Sequence, residues 1–324
     1  MQSNLISVVF HKNAVPSGSK IAAFTINWNN AEDTIRCLLS LKNCEEELEI
    51  FLVDNASSDD SLSEISEAFP DINILCSNKN LGFSGGANLA MKEILEGGFE
   101  KILSINNDAI LSRGALTKLS RALDTDPKIG MISPWIVLPG SSEIWYAGGR
   151  YLSWIGMTKH PKKGGQLPEK RVDSPVDTEY VCGCCVLYRS DFLEDVGLFN
   201  QKLFMYGEDL EHSLSSLRRG WKICTLPSAI VEHEASSSTG SNSKHFSKFR
   251  SYYYARNPIL ILYSSPNSIR KFTALLSQLV IAMPYSIARM AYEGSLGCIP
   301  SYIIGMVHGF LGKDGAVVKM APEL

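Results

Sequence analysis

Short apolar runs alternate with amphipathic segments between Ile21 and Asp126. The apolar runs predict strands, and the segments between them space their apolar residues at helical intervals. The predicted strands are IAAFTINW, EIFLVD, INILCS and KILSIN, and the predicted helices are 29–41, SLSEISEAF and ANLAMKEILEGG. Asn30 is a candidate N-cap for the first helix, and Pro70 ends the second. The alternation predicts an α/β fold with a mostly parallel central sheet flanked by helices.

The pattern becomes irregular between Pro134 and Pro175, where aromatic residues fall among turn dipeptides. These aromatic residues are Trp135, Trp145, Tyr146, Tyr151 and Trp154. Two interpretations remain open: the segment lines a ligand cleft, or its aromatic rings pack beneath a long loop. The run VCGCCVLYRSDFLEDVGLF then predicts a strand and a helix, and KICTLP predicts a further strand.

Beyond about residue 245 the chain contains apolar segments without the earlier rhythm of strands and turns. This change predicts a sheet domain at 1–245, with an N-terminal extension at 1–20, and a helical C-terminal region at 246–324. The region is basic: residues 241–324 hold 9 Lys and Arg against 3 Asp and Glu, whereas residues 1–240 hold 22 against 31. We therefore expect the two parts to face different surroundings.

The C-terminal region includes an uncharged run at residues 272–288. Its seventeen residues fall short of the ~20 apolar residues that span a bilayer. Five basic residues flank the apolar segments: Arg250, Arg256, Arg270, Lys271 and Arg289. This combination suits helices that lie peripherally on an anionic membrane surface. The alternative is a helical bundle that buries these faces against the sheet domain or against a second copy, as a homo-oligomer.

Overall composition is that of a globular protein. The chain has 324 residues, of which 45% are apolar and 20% charged, so a mainly disordered or collagen-like chain is excluded. The formal charge of −3 does not favour nucleic-acid binding. Eight cysteines without a recognisable leader peptide predict a cytoplasmic protein. Cys182, Cys184 and Cys185 lack zinc or redox spacing, so they predict a buried strand.

Polar residues follow the predicted strands at their carboxyl ends. In an open α/β sheet, ligands bind beyond those ends, so Asn27, Asp54, Asn80 and Asp108 are expected to converge. Asp54 is placed to accept a hydrogen bond from a nucleobase N–H, although Asp-Asn pairs also begin ordinary turns. The run NKNLGFSGGAN has Gly82, Gly85 and Gly86 before a helix, which suits phosphate oxygens. It is not GxGxxG, so a dinucleotide dehydrogenase is disfavoured.

Three further polar groups are candidates for chemistry. In INNDAIL, Asp108 and its Asn neighbours offer hard oxygen ligands for Mg²⁺ or Mn²⁺ carrying a diphosphate, or Asp108 caps a turn. In YGEDLEHSL, the acids Glu208, Asp209 and Glu211 either accept a proton or stabilise a helix start. His233 follows a predicted strand and either completes a metal shell or occupies a polar loop.

Taken in order, these motifs resemble the family 2 glycosyltransferases of the GT-A fold, in particular the rhamnosyltransferase-like branch. The resemblance covers roughly residues 20 to 260. It is carried by VDNASSDDS, NKNLGFSGGANLAM, INNDAIL, CGCCVLYRSDFLEDVGLF, FMYGEDLEHSLSSLRRGW, IVEHEASSS and YYYARNPILIL. It implies a transferase that uses a nucleoside-diphosphate sugar, dTDP-rhamnose or a UDP-sugar, and inverts the anomeric carbon. The acceptor would be a hydroxyl of a polysaccharide or of a lipid-linked glycan.

The resemblance also implies roles for individual residues. Asp54 would bind the uracil or thymine ring beside Thr25 and Asn27. Asp108 corresponds to the metal-binding aspartate that ends the DXD motif, here Asn106-Asn107-Asp108, and His233 to a histidine that holds metal or diphosphate. Asp209, in its pair with Glu208, would be the general base. The donor site would include Asn80, Gly82, Gly85 and Asn107.

The chain departs from the family pattern at several acidic positions. Asn200 and Gln201 stand where the family has acids, Glu211 where it tends to have Asp, and Asn106 where it has the first Asp. Two rivals follow. A sugar-phosphate nucleotidyltransferase would need a Gly-rich basic loop after the first strand, where this chain has NWNNAED. A degenerate sugar-nucleotide-binding or membrane-associated interaction protein would bind nucleotide without transfer.

Overall fold

The computed structural model describes residues 20–234 and 246–317. Its strands are β1 Ile21–Asn27, β2 Leu48–Asp54, β3 Asn73–Cys76, β4 Lys101–Ile105, β5 Ala109–Leu111, β6 Ile129–Val137, β7 Ile144–Tyr146, β8 Arg150–Leu152, β9 Met157–Lys159, β10 Val176–Asp177, β11 Cys185–Arg189 and β12 Lys222–His233. Its helices are α1 Ala31–Lys42, α2 Ser61–Ala68, α3 Gly82–Glu96, α4 Ala115–Asp124, α5 Ser190–Val196, α6 Glu208–Arg218, α7 Lys248–Tyr263, α8 Ser268–Ser277, α9 Met283–Tyr292 and α10 Ile299–Phe310. A π-helical segment, Gln278–Ala282, joins α8 to α9.

One twisted sheet organises the described part of the chain, in the order β10-β12-β6-β11-β4-β1-β2-β3. Strands β4, β1, β2 and β3 are parallel, and β12 is parallel to β6. Strand β11 runs antiparallel between β4 and β6. The ends of β1, β2, β4 and β12 therefore lie at the same edge as the beginning of β11. Every polar residue that follows those strands is brought to this edge.

Apolar side chains cover both faces of the sheet. One layer contains Cys37 and Leu38 of α1, Ile65 of α2 and Leu119 of α4. The opposite layer contains Met91 of α3 and, with other residues, Phe192 of α5. Strands buried on both faces read as continuous apolar runs, and this is why the sequence predicts them well.

The predicted elements of the first hundred residues are confirmed, apart from one boundary. Asn30 caps α1, where its Oδ1 accepts a hydrogen bond from the backbone N–H of Asp33. The predicted turn LGFSGG is wrong, because α3 already begins at Gly82 and includes Gly85 and Gly86. A Cβ on Gly85 would lie 2.7 Å from the Cβ of Leu81. That glycine therefore serves close packing inside the chain.

Two strands are longer than the sequence indicates. Pro134 and Trp135 belong to β6, which is buried along its whole length, so the irregular segment begins only after Val137. Strand β12 continues past KICTLP to His233, with a register shift between Leu226 and Ile230. Both halves of β12 pair with β6. The sequence pattern does not indicate this, because the register shift interrupts the apolar run between them.

The cysteine cluster is buried, as predicted, but only Cys185 lies in a strand, β11, and Cys182 and Cys184 precede it. All eight cysteines are free, and Cys182, Cys184 and Cys185 are buried. Burial raises the pKa of each of these three thiols above its ordinary value. They are protonated packing groups at neutral pH.

The C-terminal helices pack around α7. Ala255 and Ile259 of α7 contact Met290 of α9 and Tyr302 of α10 in a separate apolar cluster. By length and composition, the continuous helix Ser268–Tyr292 is the one described helix that could cross a membrane, and 28% of its most apolar window is buried. The boundary at 245 and residues 1–19 of the N-terminal extension lie outside the described residues.

Candidate functional site

A chain of hydrogen bonds connects the ends of the central strands. Asn27, at the end of β1, donates from Nδ2 to Asp54 Oδ1 at 3.2 Å and accepts at Oδ1 from Thr34 Oγ1 at 2.9 Å. Asn107 Nδ2 donates to the same threonine hydroxyl at 3.0 Å. Three residues expected to lie together, Asn27, Asp54 and Asn107, are therefore joined through Thr34. Sequence reasoning did not select Thr34, which looks like an ordinary helix residue.

Asp54 lies at one end of this series of hydrogen bonds and is held by a further one. Its Oδ2 accepts the backbone N–H of Ser57 at 3.1 Å, and its side chain is buried. Asn27 and Thr25 lie on the same face of β1 and are fully buried. In this structure Asn27 holds Asp54 through its hydrogen bond, and a direct contact of Asn27 or Thr25 with a ligand stays a prediction.

The turn before α3 is fixed by Asn55, which sequence reasoning did not select. Asn55 Oδ1 accepts from the backbone N–H of Leu81 at 2.8 Å, and its Nδ2 donates to Asn80 Oδ1 at 3.2 Å. Asn80 Oδ1 also accepts the N–H of Gly82 at 2.8 Å. Gly82 has φ 69°, and a Cβ there would lie 2.2 Å from the carbonyl oxygen of Phe204. This close approach links the turn to the segment before α6.

Asp108 and His233 form a buried pair at the same edge. His233 Nε2 lies 3.1 Å from Asp108 Oδ1, and the ring of Trp145 packs edge-on to the imidazole with centroids 4.9 Å apart. Two ligands of one octahedral ion at ~2.1 Å also lie about 3 Å apart, so the spacing suits a shared Mg²⁺ or Mn²⁺. His233 Nδ1 is buried without a hydrogen-bond partner among residues 20–234 and 246–317. Within that part of the chain, no group of three or more His, Cys, Asp or Glu side chains forms a complete site.

Asp209 of α6 is tied to this edge through the segment just before β11. Asp209 Oδ2 accepts the backbone N–H of Gly183 at 3.0 Å and the hydroxyl of Tyr180 at 2.9 Å. The next residue, Cys184, accepts at its carbonyl the N–H of Asn106 at 2.8 Å. Asp209 and the Asn106–Asp108 triplet are therefore tied to consecutive residues of one segment.

The two acids of α6 differ in their surroundings. Glu208 is buried, and its Oε2 has no hydrogen-bond partner in the described ranges. Burial, and secondarily the charge of Asp209, raise the pKa of the Glu208 carboxyl. Burial also raises the pKa of the half-buried Asp209, against the hydrogen bonds from Gly183 and Tyr180 that favour its ionised form. Asp209 is thus the better held carboxylate of the pair.

Two residues of α7 anchor the segment that precedes α6. Asn257 Nδ2 donates to the carbonyls of Leu203, Met205 and Tyr206 at 3.0, 2.8 and 2.6 Å. Arg256 is fully buried and donates to Leu203 O at 2.9 Å. Phe204 and Tyr206 both have positive φ, 63° and 69°, which non-glycine residues adopt only when their surroundings impose it. YYYARNPIL was part of the resemblance, but nothing in its spacing revealed this contact.

Arg256 is fully buried and not available to a membrane, contrary to the expectation from the sequence, and Arg250 is half-buried. The guanidinium of Arg256 lies over the ring of Tyr253, with its Cζ 4.7 Å from the centroid. Arg250 is half-buried and its Cζ lies 5.9 Å from the centroid of Tyr206. Both face inward because α7 is the helix that packs against the segment before α6.

Most aromatic residues of the irregular segment pack within the protein, and one of them, Trp145, lies beside Asp108 and His233. Trp135 and Tyr146 are buried in the sheet, and Trp154 is exposed. Trp145 contacts His233 and so borders the Asp108 site. Tyr180, which supports Asp209, was not selected from the sequence, because a lone tyrosine in a loop carries no pattern.

Comparison with known proteins adds three findings. A model of the family described as Glycosyl transferase family 2 matches residues 23–197. The hexosyltransferase Agl10 of low-salt glycan biosynthesis, from Haloferax volcanii, is 25% identical over 311 residues, 93% of this chain and 94% of that protein. The N-acetylglucosaminyl-diphospho-decaprenol L-rhamnosyltransferase of Mycobacterium tuberculosis is 25% identical over 214 residues, 60% of this chain and 69% of that protein.

Among solved structures, the chain is similar to the mannosyltransferase PcManGT of Pyrobaculum calidifontis, which was determined with GDP-Man and Mn²⁺. The TM-score is 0.54 at 14% identity, over 94% of this chain and 91% of that one. At this identity the similarity concerns the fold alone, and it confirms the GT-A architecture predicted from the order of strands and motifs.

Proposed function

Because the chain is a glycosyltransferase that belongs to glycosyl transferase family 2, we propose that it transfers a sugar from a nucleoside-diphosphate donor with inversion of the anomeric carbon. One observation carries this proposal. The hydrogen bonds around Asn27, Thr34 and Asn107 join Asp54 to the Asp108 triplet, and the Gly183–Cys184 segment joins that triplet to Asp209. The three acids that we propose for nucleobase binding, metal binding and proton acceptance, Asp54, Asp108 and Asp209, are thus linked along one edge of the sheet.

Asp209 is the proposed general base. It removes the proton of the acceptor hydroxyl as that oxygen attacks the anomeric carbon, while the bond from this carbon to the diphosphate oxygen breaks. Attack from the side opposite the leaving group inverts the configuration. Hydrogen bonds from the Tyr180 hydroxyl and the Gly183 N–H to Oδ2 fix the orientation of the carboxylate. The general base is therefore held in one position when an acceptor hydroxyl binds.

Asp108 and His233 are the proposed ligands of Mg²⁺ or Mn²⁺. One carboxylate and one imidazole leave the rest of an octahedral shell to diphosphate oxygens and water, which is how Mg²⁺ is commonly bound with phosphates. A bound ion supplies charge neutralisation for the departing nucleotide. The chain itself contributes the fixed separation of the two ligands, which Trp145 maintains by packing on the imidazole.

Asp54 is the proposed contact to the uracil or thymine ring, with Asn80 and Gly82 along the donor. The rhamnosyltransferase named above supports rhamnose as the transferred sugar, with dTDP-rhamnose as the proposed donor, and a lipid-linked sugar as acceptor; the hexosyltransferase named above supports a role in glycan biosynthesis. A UDP-sugar remains the second candidate donor. Eight free cysteines are consistent with a reducing cytoplasm, which we propose as the location.

The decisive variant is Asp209→Asn. We expect it to lower kcat by about 10²–10⁴-fold, the usual contribution of general base catalysis, while donor binding survives. Transfer is followed with radiolabelled dTDP-rhamnose and UDP-sugars, and binding by thermal shift with and without Mn²⁺, since a bound ligand raises apparent stability. Asp195→Asn is the control, because Asp195 is an exposed carboxylate that pairs with Arg219 at 3.3 Å and contacts none of the proposed site residues.

Unchanged turnover in Asp209→Asn would remove the base from this proposal. If the unaltered chain binds nucleotide with Mn²⁺ but neither hydrolyses nor transfers any donor sugar, it is the degenerate binding protein considered above. A flat thermal response to every nucleotide sugar would overturn the donor site itself.

A further inference from the structure

The long helix formed by α8, the π segment and α9 carries its apolar side chains on the outside. Ile269 and Phe272 are each 68% exposed, and Val280 and Tyr285 are each 61% exposed. The buried side of the same helix holds smaller or polar residues, among them Ser277 and Gln278. A helix at the surface of a water-soluble domain shows the opposite arrangement, with its apolar stripe turned inward.

Helix α10 repeats the inverted arrangement. Ile303, Ile304 and Val307 are exposed, whereas Gly305 and Gly309 are buried against α7. A Cβ on Gly305 would lie 2.3 Å from the carbonyl oxygen of Tyr252, so the small residue is required for the close approach of the two helices. Apolar residues outside and small residues between helices are what a lipid environment favours.

The charges of these helices fit an anionic surface. Residues 268–310 contain Arg270, Lys271 and Arg289 and one acid, Glu293, which pairs with Arg289 at 2.8 Å. The guanidinium of Arg270 lies 5.2 Å from the ring of Trp154, which is itself exposed. A tryptophan beside basic residues at the end of an apolar face is typical of the interface between headgroups and acyl chains.

From the exposed apolar side chains of the helix Ser268–Tyr292 and its basic flanks, we propose that the outer side of this helix docks on the headgroup and acyl boundary of an anionic lipid bilayer. The docking surface is defined by Ile269, Phe272, Val280 and Tyr285, and we call it the apolar face. The helix lies on the bilayer and does not cross it, because Gln278 Nε2 donates to Ile155 O at 3.3 Å and so holds its inner side to the protein. A second copy would present the same excess of basic over acidic side chains, whereas an anionic bilayer complements it.

The test is co-flotation of the purified full chain with vesicles. We expect binding to vesicles of phosphatidylcholine with phosphatidylglycerol, and weaker binding to phosphatidylcholine alone. The double variant Ile269→Glu with Phe272→Glu should weaken binding to the anionic vesicles by about tenfold or more, since it removes two inserted side chains and adds two negative charges. No donor or acceptor is present, so the outcome does not depend on the transfer reaction.

Val172→Glu is the matched control, because Val172 is also an exposed apolar residue but lies away from these helices. It should float like the unaltered chain, and circular dichroism should show that all variants are folded. Failure of the unaltered chain to float with anionic vesicles overturns the proposal, as does unchanged flotation of the double variant. A dimer in solution that the double variant converts to monomers, without vesicle binding, would assign the apolar face to a second copy. Retention in cell membranes through alkaline carbonate extraction would show a spanning helix and also overturn it.

Discussion

At the scale of single residues, the surroundings of Glu208 disfavour its ionised form. Its carboxyl is buried beside Asp209, and its Oε2 has no hydrogen-bond partner in the described part of the chain. Burial and the neighbouring charge raise its pKa to about 8. An ionised carboxylate in this place costs stability, and such a cost is tolerated where function requires the group.

Glu208→Gln should change the pH dependence of transfer. Asp209 must be ionised for base catalysis, so the rate falls as pH decreases through its raised pKa. Below about pH 8 Glu208 is protonated and carries no charge, so Glu208→Gln should leave the acid limb of the kcat/KM profile in place and change the profile only above about pH 8, where Glu208 ionises in the unaltered chain. The measurement is the full profile for the unaltered chain and the variant at saturating Mn²⁺.

The pH dependence of the free energy of unfolding provides a second test of the same substitution. A folded pKa above the unfolded value means that the stabilising contribution is complete below the unfolded pKa and is lost as pH rises through about 8. Glu208→Gln should therefore lose less stability than the unaltered chain between mildly acidic pH and pH ~8. Glu194→Gln, at an exposed glutamate of α5, is the control, and identical profiles for all three proteins would contradict the prediction.

At the scale of elements, the start of α3 and the segment before α6 depend on each other. Gly82 has positive φ and approaches the carbonyl of Phe204, which also accepts the N–H of Ser84 at 3.2 Å. Phe204 has positive φ as well. The start of α3, which is proposed to contact the nucleotide sugar, and the segment before Asp209, the proposed general base, are therefore joined by one backbone contact.

Gly82→Ala should disturb both the fold and the activity. Gly98→Ala is the matched control, because Gly98 also has positive φ but a Cβ there meets nothing within 4 Å. We expect the control to cost ~1 kcal/mol from backbone strain alone, and Gly82→Ala to cost about 1–3 kcal/mol more from the clash. Only Gly82→Ala should also lower kcat. Chemical denaturation and transfer assays check both, and equal losses in the two variants would show that strain alone is responsible.

The elements themselves were largely predictable where the pattern is local. The cap of α1 by Asn30 and the buried strands β1, β2 and β4 follow from nearby residues. The start of α3 did not, since Gly85 and Gly86 suit a loop as well as a tightly packed helix. Strand β6 was missed at Pro134 and Trp135, because its partners β11 and β12 lie tens of residues away.

At the scale of the whole molecule, the basic C-terminal region contacts the segment that carries the proposed general base. Its first helix, α7, supplies Arg256 and Asn257 to the carbonyls of residues 202–206, immediately before Glu208. The division at residue 245 remains a proposal about domains, and the site depends on contacts across it. The remaining helices expose an apolar face, which accounts for the different surroundings expected from the charge distribution.

Asn257→Ala should therefore lower kcat although Asn257 touches neither acid. Three backbone carbonyls lose their donor, and we expect a loss of about 1–3 kcal/mol in unfolding free energy together with a fall in kcat of about tenfold, because a small displacement of a catalytic group has large effects. Asn267→Ala, which removes the N-cap of α8, should cost ~1 kcal/mol and leave kcat unchanged. Loss of stability without loss of kcat in Asn257→Ala would limit this residue to a structural role.

The sequence by itself determined the alternation of strands and helices and the order of polar residues at the strand ends, because those properties depend on neighbours along the chain. It thereby indicated the GT-A fold and the acids Asp54, Asp108 and Asp209. Only the tertiary structure decided which groups hold these acids: Thr34 and Tyr180 through hydrogen bonds, Gly82 through close backbone contact, and Asn257 from a helix about fifty residues later in the chain. It also decided that Arg250 and Arg256 face inward and that the apolar residues of α8–α10 face outward. Inward and outward are properties of packing between distant elements, which residue spacing does not encode.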